Sequence, residues 1–200
     1  MKKLMMIAAM MVAVVSANAQ EAGQMFIKPM VGATMAKLTK VDDSKMKFGL
    51  VGGGEFGYCF SDRFATTGGL LVSMQGTKVK DTEYYKDAST SLTYLNVPLL
   101  ANFYVVPGLA LKAGFQPGFL LSAKMKGKEN VGGSWIEYEN TGTDGMKKLD
   151  LSIPLGISYE IADFVIDARY NLGLTKVQDD VDCKNSVFML TIGYKIPLNY

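Results

Sequence analysis

Histidine is absent from all 200 residues, and the chain has only two cysteines and one tryptophan. Without histidine there is no Ser-His or Cys-His hydrolase, no imidazole general base and no ordinary zinc site. A sizeable excess of either charge is also lacking. The formal excess of +2 comes from Lys2 and Lys3, and without them the chain carries nineteen residues of each sign. That balance is not the basic footprint of a nucleic-acid binder. After Ala19 no apolar run approaches the roughly 20 residues that a membrane-crossing helix needs, and no segment sustains apolar spacing at 3.6 residues.

The one long apolar run lies at the start, in "MKKLMMIAAMMVAVVSANAQ". Lys2 and Lys3 precede an apolar stretch from Leu4 to Val15, and Ala17-Asn18-Ala19 has the small-residue pattern of a cleavage site. This order predicts a secretory signal peptide over 1–19, cut after Ala19, and one domain over 20–200. No cysteine follows the cut, which argues against lipoprotein processing.

What the rest of the chain has is period-two alternation, the strand signal. In "LDLSIPLGISYEI" the residues Leu149, Leu151, Ile153, Leu155, Ile157, Tyr159 and Ile161 share one face. Asp150, Ser152, Pro154, Gly156, Ser158 and Glu160 share the other. "FVIDARYNLGL" and "FMLTIGYKIPLNY" repeat the pattern. Strands are predicted at 24–35, 48–60, 64–77, 91–105, 109–124, 148–161, 164–174 and 187–200.

Connections of two kinds alternate between them. "SDR", "VPG" and "AD" are tight turns, whereas the other gaps hold about a dozen residues or more, the longest being "MKGKENVGGSWIEYENTGTDGMK". Short turns at one end and long polar loops at the other predict an all-β, eight-stranded, antiparallel up-and-down transmembrane barrel, with periplasmic turns and external loops. Its apolar face would meet outer-membrane lipid and its polar face the lumen. A soluble lipocalin-like carrier, with the two faces exchanged, is the alternative. Tyr200 ends an alternating strand and resembles the terminal aromatic read by barrel-assembly machinery. Phe56, Tyr58, Phe60, Phe64, Phe103, Tyr159, Phe164 and Tyr200 are expected to form an interfacial girdle.

"VGGGEFGYCF" contains Gly52, Gly54 and Gly57 at the G-x-G-x-x-G spacing of a dinucleotide loop. Such a loop must open a helix, and here "YCFSDRF" runs on into a tight turn. The glycines are therefore expected in a curved or bulged strand. Pro29, Pro98, Pro117, Pro154 and Pro197 fall inside predicted strands, so they belong at bulges or strand ends, where registers can slip.

Eight strands enclose a space that side chains can fill. The inward set holds Lys28, Lys112, Arg169 and Lys195 against Glu55, Asp150, Glu160 and Asp167. Hairpin centres pair Lys28 with Glu55, Lys112 with Glu160 and Asp167 with Lys195. The set is expected to be a structural plug of ion pairs, because a buried charge needs its partner. The alternatives are a narrow water or ion path, or carboxylate chemistry of the glycosidase kind. No catalytic, cofactor or metal residue is assigned. Cys59 and Cys183 would stand at opposite ends, about 25 Å apart, too far for a disulfide. Trp135 and Tyr138, in the longest loop, are the candidates for binding an unknown surface ligand.

At "YLNVPLLANFYVVPGLALKAGFQPGFLLSAK" the chain resembles the PorT-like outer-membrane β-barrel family common in Bacteroidetes, of the OmpA/OmpX-like eight-stranded type. Tyr94, Leu95, Val97, Pro98, Leu99 and Leu100 match its Y-L-x-[IV]-P-L-L strand, and Gly114, Gly118, Leu120, Leu121 and Ser122 match its second motif. The signal ending and the terminal "IGYKI" strand fit the same family. The resemblance implies the outer-membrane barrel fold and says little of its task; with the filled lumen and long loops, the expectation is a monomeric, non-enzymatic barrel with a structural or surface-recognition role. A component of protein secretion or small-solute transport is the competing implication. Asn96 and Asn102 depart from the Glu and Lys the family often carries there, so any ion pair those positions make elsewhere is missing.

Overall fold

The computed structural model describes residues 22–40, 44–81, 83, 85–178 and 183–198. The predicted signal peptide, the start at Gln20 and the terminal Tyr200 lie outside the described residues. Among the described residues eleven strands form one antiparallel sheet: β1 (Met25–Leu38), β2 (Ser44–Ser61), β3 (Phe64–Val79), β4 (Tyr85–Asn96), β5 (Leu99–Val106), β6 (Leu109–Val131), β7 (Ser134–Thr141), β8 (Leu149–Ile161), β9 (Phe164–Gly173), β10 (Asn185–Tyr194) and β11 (Ile196–Leu198). β4 with β5, and β10 with β11, each act as one interrupted strand. β1 pairs with β2 on one side and with β10 and β11 on the other, which closes an eight-strand ring. Closure leaves no sheet edge in the wall, as lipid requires.

The three tight turns, between β2 and β3, β5 and β6, and β8 and β9, all lie at one end, here the turn end. Gly108 adopts φ 80° in the second turn, and its carbonyl accepts the Glu160 amide at 2.8 Å. The opposite end is the loop end, and along the wall the structure corrects two expectations. The longest gap is not loop: β6 continues to Val131 and folds back as β7, which pairs only with β6 and stands outside the ring. The predicted strand 91–105 is broken at Val97-Pro98.

The prolines explain this break and others. Val97 donates to the Pro117 carbonyl at 2.8 Å, so Pro98 and Pro117 meet at one gap in the ladder. Pro154 faces Gly114 where the β6–β8 pairing lapses between Ala113 and Gln116. Pro29 lies beside the interruption at Lys195, between β10 and β11. Pro29, Pro98, Pro117 and Pro154 thus lie at or beside gaps in the ladder, whereas Pro197 pairs with Phe26 inside the short β11. The nucleotide-like glycines are strand: Gly52, Gly54 and Gly57 pair with Val31, Pro29 and Phe26. Phe26 covers the last of them, since a Cβ on Gly57 would lie 2.1 Å from its ring.

Burial decides which face meets lipid. Val31 is 66% exposed, Phe48 74% and Ile192 56%, whereas Arg169 and Asp167 are each 1% exposed. A soluble carrier would show the reverse, so that alternative is overturned. Phe56, Phe60, Phe64, Phe103 and Phe164 point outward near the turn end, and Phe60 packs at 5.8 Å from Phe64. A nitroxide label on Ile192 is therefore expected to be relaxed by lipid-soluble oxygen. A label on Thr191, 1% exposed, should be shielded from both oxygen and aqueous nickel reagents.

Candidate functional site

The inward residues of β1 order the lumen from turn end to loop end: Phe26, Lys28, Met30, then Thr34, Ala36 and Leu38. They place an apolar layer of Phe26, Cys59, Ala65, Tyr104 and Ala110 first. Next come charges, then Met30, Val51, Leu71 and Met189. The loop end is capped by Leu38, Leu92, Tyr94, Leu120, Ala123, Val177 and Cys183, with Met146 packed against them. Val177 and Cys183 come from the β9–β10 connection, which folds inward: Val177 donates to the Cys183 carbonyl at 2.9 Å and accepts from Lys147 at 2.9 Å. The two thiols thus belong to layers at opposite ends of the ring and are not bonded to each other.

Between the apolar layers, five charged side chains touch. Lys28 lies 2.8 Å from Glu55, its direct cross-strand partner. Arg169 bridges two strands, with Nη1 2.6 Å from Glu55 and Nε 2.6 Å from Asp167. Asp167 also pairs with Lys112 and lies 3.9 Å from Lys28. All five are buried. Nearer the turn end, Lys195 is 3.1 Å from Glu160, which also accepts the Tyr104 hydroxyl at 2.8 Å.

Glycines make the room. A Cβ on Gly156 would lie 2.9 Å from Arg169 Cγ, and one on Gly193 would lie 2.9 Å from Lys28 Cγ. At Gly69 the corresponding distance to Glu55 Cγ is 2.7 Å.

Seven of the eight predicted charged residues therefore form ion pairs, with two partners exchanged. Lys112 stands opposite Gly156, not Glu160, and Asp167 opposite Thr191, not Lys195. The hairpin centres were misplaced by two residues. An even slip keeps every side chain on its face, which is why the inward set survives while its partners change. Asp150 stands apart near the loop end and accepts a hydrogen bond from Thr175 at 3.0 Å. Asn96 donates to Ser73 Oγ at 2.7 Å, and Asn102 to Thr67 Oγ1 at 3.3 Å, so amide and hydroxyl groups occupy those positions. Tyr104, the second ligand of Glu160, escaped the sequence reading. Its alternation with inward Asn102 was the available signal.

The second candidate region is the β6–β7 hairpin. Trp135 and Tyr138 are exposed on β7, and the Lys86 ammonium sits 4.4 Å from the Trp135 ring centre. Lys128 is 3.0 Å from Glu137, and Lys126 is 3.4 Å from Glu139. Hydrogen bonds from Lys124 and then Lys126 hold the exposed Glu139 carboxyl below its ordinary range. A groove of about 300 Å³ runs between Asp87, Lys126, Lys128, Glu137, Tyr138 and Glu139. Among the described residues, no group of three or more His, Cys, Asp or Glu side chains converges as a metal site.

Comparison with known proteins agrees with this architecture. Ail, the attachment invasion locus protein of Yersinia pestis, solved with the heparin analogue sucrose octasulfate, matches with a TM-score of 0.50 and 19% identity over 88% of this chain and 99% of that one. Neisserial surface protein A matches with a TM-score of 0.49 and 12% identity, covering 86% of this chain and 97% of the other. For OprG from Pseudomonas aeruginosa the values are 0.44 and 16%, over 90% and 99%. At 19% identity the fold is what Ail and this chain share. No curated protein matches the chain. The model of the outer membrane protein beta-barrel domain matches residues 18–179. With a closed ring, an apolar outer wall and that match over most of its length, the chain belongs to the outer membrane protein beta-barrel domain family and is a membrane protein of the outer membrane.

Proposed function

We propose that this barrel is a non-catalytic surface protein with a filled lumen, working through the β6–β7 hairpin. The observation that carries it is the stack of layers between Phe26 and Leu38: apolar, charged, apolar and apolar again. Lys28, Glu55, Lys112, Asp167 and Arg169, with the Glu160–Lys195 pair, act as the plug, and Asp150 joins the polar packing above them. Narrow eight-strand barrels favour such filling. The hairpin is the part that lipid and lumen do not use, and it presents Trp135 and Tyr138 to an unidentified surface ligand.

Several narrower readings go with this one. Residues 1–19 act as a signal peptide cut after Ala19, barrel-assembly machinery is the partner during biogenesis, and the barrel is a monomer of PorT-like type. Within that type a role in secretion or solute transport competes with surface recognition.

Planar bilayers test the plug. The full chain is expected to give no discrete conductance steps, and stepwise openings in the unaltered protein would favour transport. Replacing Lys126–Glu139 with a two-residue turn tests the hairpin. The shortened barrel should still run faster unheated than boiled on SDS gels, while vesicles carrying it lose adhesion to immobilised glycans or proteins. Unchanged adhesion would place recognition elsewhere, and copurification with secretion machinery would favour export.

A further inference from the structure

We infer that Lys47, Lys78 and Lys126 form a site on the outer wall of the barrel for the phosphate of an outer-leaflet lipid headgroup. β2 carries a bulge between Met46 and Val51, and from within it Lys47 reaches across β3 to β4. Its ammonium donates to the Thr90 carbonyl at 3.2 Å and to Ser91 Oγ. Gly76, opposite Ser91, puts no side chain in the way. Lys78 and Lys126 stand on either side of Ser89, the next residue on the Ser91 face of β4, so Lys47 comes under the repulsion of two groups of its own sign.

The surrounding ladder sharpens the conflict. Lys45 stands directly opposite Lys78, and Lys86 directly opposite Lys128. Like charges at cross-strand positions destabilise a sheet. Glu139 is shared by Lys124 and Lys126, and Glu137 is engaged by Lys128. Among the described residues neither Lys47 nor Lys78 pairs with a carboxylate, and a doubly charged phosphate offsets their repulsion by charge-assisted hydrogen bonds.

Position identifies the source of that phosphate as a lipid. Phe48, Leu50, Val72 and Met74 are exposed on the same wall, on the turn-end side of the lysines. Acyl chains lying on those residues bring the headgroup level with the ammonium groups at the loop end. Loops of this length face outward from the cell, so the lipid belongs to the outer leaflet.

The test uses the full chain in phosphatidylcholine nanodiscs, with dansyl-labelled bisphosphorylated lipid A as probe and Trp135 as energy donor. Saturable transfer is expected, and K47Q/K78Q/K126Q should weaken it by about a hundredfold. K47R/K78R/K126R should retain it, and the dephosphorylated lipid should bind the unaltered protein as weakly as the probe binds the glutamine variant. Unchanged gel mobility, unheated and boiled, verifies that the variants fold; if the triple glutamine variant does not, Lys78→Gln alone should weaken the signal. Equal binding by the glutamine variant, or equal binding of the dephosphorylated lipid, overturns the site. Displacement by inorganic phosphate as effective as by unlabelled lipid A would make it a free-anion site and overturn the lipid.

Discussion

Asp167→Asn is expected to destabilise the barrel by about 3–5 kcal/mol, the cost of leaving buried charge without its partner. Asp167 is touched by Lys28, Lys112 and Arg169, the three cations of the central layer. Its loss leaves Glu55 alone against all three. Arg169→Met has a different consequence: it removes one of three cations and leaves Lys28 and Lys112 facing Glu55 and Asp167, so its effect should be smaller. The diagnostic variant is Asp167→Asn combined with Lys112→Met, which removes a carboxylate and the lysine that pairs with it. If charge balance rather than shape governs the layer, the double variant recovers part of the stability lost by the single one. Urea unfolding of barrels folded in lipid vesicles, followed by far-UV circular dichroism, measures all three. Additive losses in the double variant would show that these side chains fill space and do not balance charge.

That layer also shows what the sequence could and could not reveal. Alternation assigned Lys28, Glu55, Lys112, Asp167, Arg169 and Lys195 to the lumen because the side-chain period in a strand is two, whatever the neighbouring strand does. Lys28 and Glu55 were paired correctly because the connection after β1 is short and its centre well defined. Lys112 and Asp167 took different partners because the centres of the long connections depend on how those segments fold. One of them is the β6–β7 hairpin, and another tucks Val177 and Cys183 into the lumen. β7 went unread because alternation in "SWIEYENT" is polar on one face and mixed on the other, and with no buried side it gives no apolar period. The lysine cluster was invisible for a related reason. Lys47, Lys78 and Lys126 are far apart in the chain, and they meet through the register of β3, β4 and β6 and the reach of Lys47 to β4.

A charged residue on the outer wall is expected to cost an amount that depends on depth. Leu155 is the middle residue of β8, lies 51% exposed and pairs with Ala113 and Tyr170 across the wall. Leu155→Arg places a guanidinium near the midplane of the hydrocarbon, where such a change costs about 2–4 kcal/mol. Phe48, 74% exposed, sits near the loop end beside Lys47, and Phe48→Arg should cost about 0–1 kcal/mol because its side chain can reach the headgroups. Both side chains point away from the lumen, so neither variant disturbs the ion pairs. The same vesicle unfolding measurement gives both values, with the native midpoint as reference. A barrel whose apolar wall met water would register two small and similar changes. A steep difference between mid-strand and rim is what a hydrocarbon layer imposes, and equal costs at the two positions would remove lipid from the account of why this wall is apolar.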